Sequence, residues 1–266
     1  MRTIAIDWSG KASGAARTIW VAEASNGELA FLENGRSRER VTQLLIEWAE
    51  ADARLIVGFD FAFSFPAWFL KERGWTSAHE LWSAVAMHGE NWLAVCQSPF
   101  WGRPGKRKSD LHGRSHFRAT ETDVTPVEGI KPKSVFQIGG AGAVGTGSIR
   151  GMPFLAQLSA AGFSIWPFDP PSWPRVIEIY PRVLTGRVRK SSQRDRQEYL
   201  SKWRGNPSLL ARAATSEDAF DAGVSALIMS EHSSDLAQLT YPPNEASRFE
   251  GAIWFPAGMV GVGPSN

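Results

Sequence analysis

Two apolar, β-rich stretches of the chain end in an aspartate, and a third carries a glutamate within it. They are Thr3-Ile4-Ala5-Ile6-Asp7, Arg54 to Asp60, and Val176 to Tyr180 with Glu178. Short apolar runs of this kind read as buried strands. A carboxylate in such surroundings is costly unless a cation or hydrogen bonds compensate it. A fold that gathers these acids is therefore expected, and open α/β sheets place ligands at the carboxyl ends of their parallel strands.

The segments between them define the order of elements. Arg17 to Glu23 and Glu28 to Leu32 flank Ser25-Asn26-Gly27 and predict an antiparallel hairpin, because Asn-Gly supplies the positive φ angles of a tight turn. Val41, Leu44, Leu45 and Trp48 recur at helical spacing between Ser37 and Ala51. The chain thus opens β-β-β-α-β. An aromatic helical region runs from Pro66 to about Trp92, and Ser98 to Lys133, rich in Gly, Pro, Arg and Lys, reads as loop. Ser134 to Ile138 predicts a strand, Ile149 to Ala161 and Ser216 to Ser230 predict helices, and an apolar Ala252-Ile253-Trp254-Phe255 follows. No linker divides the chain. A single α/β domain over residues 1–266 is expected, with a mixed five-stranded sheet (β-β-β-α-β-α-β-α order) flanked by helices. Residues 92–150 form an insertion between strands four and five.

Near the end, Asp218 and Asp221 are three apart in Ser216-Glu217-Asp218-Ala219-Phe220-Asp221-Ala222-Gly223 and so share a helix face. Carboxylates without a matching Arg or Lys in the same motifs suit hard divalent cations, magnesium or manganese. Asp7, Asp60, Asp218 and Asp221 are the candidate metal ligands, and these four with Glu178 the candidate catalytic residues. Each also has a purely structural reading. Asp218 fits a capping box with Thr215, Asp221 a solvated helix position, Asp7 and Asp60 turn caps, and Glu178 a pair with Arg175 or Arg182.

Composition matters chiefly through charge. With 29 Lys and Arg against 27 Asp and Glu, any electrostatic preference is local. Residues 101–120 carry Arg103, Lys106, Arg107, Lys108, Arg114 and Arg118 against Asp110 alone, and residues 182–204 carry eight Lys and Arg against Asp195 and Glu198. Two basic segments beside an acidic site fit a nucleic-acid partner, DNA or RNA, held through its phosphates. The candidate substrate-binding residues are Arg103, Lys106, Arg107, Lys108, Arg114, Arg187, Arg189 and Lys190; solvated surface is the competing reading. A lone cysteine, Cys96, excludes an internal disulfide and a cysteine-based metal centre. A cytoplasmic protein with no membrane association is expected.

The ordered acids carry a resemblance. A β-β-β-α-β opening with acids on the first and fourth strands and a late Asp-x-x-Asp helix resembles the ribonuclease H-like superfamily, particularly its Holliday-junction resolvase branch. More closely, the chain resembles the predicted-nuclease family catalogued as domain of unknown function 429. The matching elements are Ile4-Ala5-Ile6-Asp7, Val57-Gly58-Phe59-Asp60 with Pro66, Val176-Ile177-Glu178-Ile179-Tyr180-Pro181, Asp218-Ala219-Phe220-Asp221-Ala222 and Glu250-Gly251-Ala252-Ile253-Trp254-Phe255-Pro256. The resemblance implies a ribonuclease H-like sheet and metal-dependent cleavage of phosphodiesters. It makes Asp7 a bridging ligand, Asp60 the fourth-strand ligand, and Asp218 and Asp221 the helical ligands. The chain departs from the resolvase branch in carrying Asp rather than Glu at position 60, and in the long separation of Asp60 from Glu178.

Other motifs point elsewhere. Gly140-Ala141-Gly142-Ala143-Val144-Gly145 matches a dinucleotide fingerprint, but more Gly and Pro follow before the expected helix, and Asp169 lies among prolines. His112 and His116 flank Gly113 in a loop, which argues against a metal pair. No serine-hydrolase elbow or P-loop occurs. Two alternatives to a nuclease stand: nucleotide-dependent phosphoryl transfer on an actin-like core, and a non-catalytic nucleic-acid-binding module.

Overall fold

The computed structural model describes residues 1–242, 244 and 246–256. β1 (Arg2–Asp7), β2 (Trp20–Ser25) and β3 (Glu28–Asn34) form an antiparallel meander. Asn26 and Gly27 take φ of 53° and 77°, as the turn requires. α1 (Arg38–Ala51) is capped by Ser37, whose hydroxyl accepts from the Arg40 N–H at 3.3 Å, and it buries Val41 and Leu45. It leads to β4 (Leu55–Phe59), parallel to β1 with Ile6 opposite Phe59. After a long excursion come β5 (Ser164–Ile165) and β6 (Arg175–Ile179). β6 lies parallel to β4 with Phe59 opposite Glu178.

The last strand, β7 (Ile253–Trp254), adds to the end of β6, and β5 adds to its beginning. The architecture is α/β, a mixed sheet flanked by helices. Among the described residues it has seven strands in the order β3-β2-β1-β4-β6-β5, with β7 also on β6, rather than the expected five. The additions are two-residue strands, too short to show a period of their own.

Strand alternation sorts the core into two layers. Ile4, Ile6, Val57, Phe59 and Val176 face one side, with Trp82 and Val85 of α3 (Ala78–Val95) and Ile149 and Leu155 of α5 (Val144–Ala160). Ala5, Ala22, Ile177 and Ile179 face the other, with Phe220, Val224 and Leu227 of α9 (Glu217–Glu231). The remaining helices are α2 (Ala67–Lys71), α4 (Ala119–Asp123), α6 (Pro181–Thr185), α7 (Gln193–Leu200), α8 (Pro207–Ala213), α10 (Ser233–Ala237) and α11 (Ser247–Glu250). No helix among the described residues is long and apolar enough to cross a membrane.

Two local expectations fail. Ser134 to Ile138 is not a strand; Gln137 makes a single bridge to Trp101. α5 begins at Val144, five residues before Ile149, and contains Pro153. Its glycines read as breakers but are packing positions. A Cβ at Gly151 would meet the ring of Phe61 at 2.6 Å, so only glycine lets α5 lie this close to the segment after β4.

Residues 96 to 143, most of the expected insertion, are largely irregular, and aromatic contacts seat them. Phe100 and Phe136 pack on Phe65 and Phe69 with ring centroids 5.2–5.9 Å apart. Trp82, fully buried, donates its indole N–H to the Phe63 carbonyl at 2.8 Å. Trp82→Ala leaves a cavity and an unanswered carbonyl, and should cost about 3–5 kcal/mol in chemical denaturation.

Candidate active site

Parallel pairing places Asp7 beside Asp60. The Asp60 N–H donates to the Ile6 carbonyl at 3.1 Å, one register step beyond the Ile6–Phe59 pair. Alternation then sends both carboxylates to the α9 side, the side of Ala5, because Ile6 and Phe59 face the opposite layer. α9 lies close enough there for the Thr3 hydroxyl to reach the Ala226 carbonyl at 3.1 Å. Its first turns carry Asp218 and Asp221. The helix is capped by Ser216, whose hydroxyl accepts from the Ala219 N–H at 3.0 Å, and not by Thr215, which donates to the Arg212 carbonyl.

Asp7 and Asp60 make no side-chain hydrogen bond or ion pair with any described residue. Both are half-buried, and each lines a cavity. Burial, then repulsion from Asp60, Asp221 and Asp218, holds the Asp7 carboxyl well above the usual range. Burial, then Asp221, raises Asp60 to about 7. Asp221 is raised by burial against the pull of Lys190. Asp218 is only half enclosed, and its upward shift through burial is offset by Lys11.

Lys190 overturns its placement on a basic surface. Its ammonium is 2.6 Å from Oδ1 of Asp221, with side chains 7% and 15% exposed. The buried Arg196 positions this lysine, donating to its carbonyl and, at 3.0 Å through Nε, to the carbonyl of Ala214. The run Arg187-Val188-Arg189-Lys190 thus points its last member inward. Arg187 is exposed, and Arg189 is exposed and paired with Asp195 at 3.0 Å.

Glu178 does not join the aspartates. Ile177 and Ile179 pack toward α9, so Glu178 faces the other layer. There Arg118, 1% exposed, grips it at 2.5 and 2.8 Å, and the Phe63 N–H donates to it at 3.0 Å. Arg118 also holds Glu121 at 3.0 Å and the Glu250 carbonyl at 2.9 Å. The expected partners Arg175 and Arg182 bond backbone carbonyls instead. Glu178 is therefore part of a structural ion cluster, both of its oxygens already accepting hydrogen bonds.

Two adjoining cavities open over the aspartates. One, about 230 Å³, is lined by Asp60, Tyr180 and Lys133; the other, about 640 Å³, by Asp7, Asp218, Lys11 and Thr18. They share Trp8, Gly10 and Ala143, and Gly142, Val144, Thr146 and Gly147 complete the wall. The glycine-rich motif is thus a wall of the site, at the start of α5. It meets the loop after β1 backbone to backbone, since a Cβ at Gly10 would lie 2.6 Å from the Gly147 nitrogen. Lys11 and Lys133 were not among the expected binding residues. Lys11 has a readable signal, following the acidic strand end by four positions; Lys133 has none.

Comparison with family models, curated proteins and solved structures finds no match. The site therefore stands on its own geometry.

Arg103, Lys106, Arg107, Lys108 and Arg114 are exposed, and none lines either cavity. Lys108 lies 5.4 Å from the rings of Trp101 and Phe117, and Arg114 pairs with Glu72. The loop nevertheless abuts the site wall. Ile138 N–H donates to the Trp101 carbonyl at 2.9 Å, and Arg103 acts on Glu90, which holds Arg150 against the Gly10 carbonyl.

The four-aspartate ligand set expected from sequence is only partly assembled. Among the described residues no three His, Cys, Asp or Glu side chains form a ready metal-binding group. Asp7 and Asp60 are oxygen donors on neighbouring strands with no side-chain partner among the described residues, the donor type that hard divalent cations take.

Two outcomes follow. Arg118→Met, which strands Glu178 and Glu121, should destabilise the protein by about 3–5 kcal/mol, and adding Glu178→Gln should recover part of that loss. An acid whose pKa is higher folded than unfolded adds stability at low pH that is lost as pH rises through the folded value. Without divalent cations, thermal stability should fall between pH 4 and about 7, where Asp60 ionises, and Asp60→Asn should flatten that fall. A parent profile that rises across this interval would contradict the assignment.

Proposed function

We propose that the protein is a divalent-cation-dependent phosphodiesterase acting on nucleic acid. The observation that carries this reading is the enclosure of two unpaired carboxylates, Asp7 and Asp60, side by side at the carboxyl ends of parallel strands. The order β3-β2-β1-β4-β6, three antiparallel strands then two parallel ones, supports the resemblance to ribonuclease H-like nucleases. That resemblance adds the reaction class to a fold that does not by itself specify one.

Asp7 and Asp60 would hold the ion, magnesium or manganese. When bound, it supplies a Lewis acid for a phosphoryl oxygen and a more acidic water. Asp218, which lines the larger cavity, would accept a proton from a water there. Lys11 and Lys133 line the cavities and attract the phosphate. The start of α5 forms the wall, and its positive end favours an anion near it. Arg103, Lys106 and Arg107, on the adjoining exposed loop, extend a positive track for the flanking backbone.

The test is cleavage of single-stranded, duplex and branched DNA and RNA with magnesium or manganese. Parent cleavage should fall about 100-fold or more in Asp7→Asn and in Asp60→Asn, since even outer partners of a metal site are worth about 10–100-fold. Activity that survives both substitutions removes the mechanism. Salt-sensitive binding with no metal-dependent cleavage identifies the non-catalytic module instead.

A further inference from the structure

The irregular segment that follows α3 sets cations beside aromatic rings and gives the cations no anion. Arg103, Lys106, Arg107 and Lys108 are exposed and make no ion pair among the described residues. Asp110, the one acid between residues 96 and 118, accepts from the His112 main-chain N–H at 2.8 Å, and nearby Glu72 is taken by Arg114. Lys108 holds its ammonium 5.4 Å from the ring centres of both Trp101 and Phe117. Both rings are half-buried, and Phe117 packs in neither core layer.

The segment is held in shape. The Gly102 N–H donates to the Lys106 carbonyl and the Lys106 N–H to the Arg103 carbonyl, each at 2.9 Å, closing a turn through Gly105 at φ 73°. The hydroxyls of Ser98 and Ser109 meet at 2.8 Å, and Phe100 and Leu111 anchor the segment in the interior. Groups fixed in this way lose little further freedom when they bind. The turn also reaches the candidate site. Gly102 meets Gly139 backbone to backbone, with no room for a Cβ on either, and Gly142 and Ala143 just beyond wall the larger cavity.

Four unanswered cations suit a polyanion, and the rings decide which one. In a duplex the faces of the bases cover one another, whereas a single strand offers them to aromatic side chains. We propose that residues 101–117 are a platform for single-stranded nucleic acid, with bases stacked on Trp101 and Phe117 and phosphates held by Arg103, Lys106, Arg107 and Lys108. The strand then passes by way of the Gly102–Gly139 contact to the cavities over Asp7 and Asp60. This inference rests on the proposed nucleic-acid substrate and names its class as single-stranded.

The experiment is fluorescence anisotropy of the full chain with labelled oligothymidylate, alone or paired with oligoadenylate, in EDTA so that no metal-dependent cleavage intervenes. The single strand should bind at least about tenfold tighter than the duplex. Trp101→Ala and Phe117→Ala should each weaken single-strand binding about tenfold and leave its salt dependence unchanged, as the loss of one stacked base does. Lys106→Ala combined with Arg107→Ala should instead flatten the log–log salt slope by about 1.4, at about 0.7 per phosphate contact. Equal binding of strand and duplex overturns the platform, and so do folded ring variants that bind like the parent, or no binding of either oligonucleotide. Phe117→Leu keeps the apolar bulk and removes the stacking face; it should bind as weakly as Phe117→Ala, and with the strand preference it decides the matter if the alanine variants do not fold. Metal-dependent cleavage without strand preference overturns the platform alone. Strand preference in a parent that cleaves nothing with manganese keeps the platform and removes the phosphodiesterase.

Discussion

One guanidinium in the interior joins three parts of the chain that are remote in sequence. Arg118, from the irregular region before α4, binds Glu178 on β6, Glu121 on its own helix and the main chain of Glu250 near the carboxyl end. Glu250 extends the junction, accepting from the N–H groups of Ala67 and Ala119 at 2.7 and 2.6 Å. Buried charges of this kind are tolerated only when paired and hydrogen-bonded throughout. The network ties the insertion to the sheet, and Arg118 and Glu121 line the cavity that Asp60 and Glu178 share.

The sheet then separates two kinds of acid by parity alone. Asp7 and Asp60 emerge on the α9 side, and Glu178, one residue earlier in the same register, emerges on the other. The first pair has no side-chain hydrogen bond or ion pair among the described residues, whereas Glu178 meets a matching arginine. A difference of one position along a strand thus separates a poised cluster from a structural one.

Much of this arrangement was legible in the residues. Short apolar runs located β1, β4 and β6, Asn26-Gly27 marked the hairpin, and α9 falls on the helix predicted over Ser216 to Ser230. Strand alternation assigns Glu178 to the face opposite Ile177 and Ile179, but choosing between faces needs the β4–β6 register, which is a long-range fact. Arg118 and Lys190 were hidden for a related reason. Each belongs to a run of basic residues that reads as surface, and only tertiary contacts over 60 and 31 positions draw one member of each run inside. The early start of α5 was missed because glycine lowers helix propensity locally, whereas here it permits packing.

The contact between Gly10 and Gly147 gives one wall of the site an unusual character. Main chain faces main chain there, so no side chain exists at that point whose replacement would reshape the opening. On the proposed function, selectivity among ligands falls to the side chains of the lining, Lys11, Thr18, Lys133 and Tyr180 among them. Divergence in what such a protein accepts would then be recorded in those side chains, while the two glycines stay fixed by geometry.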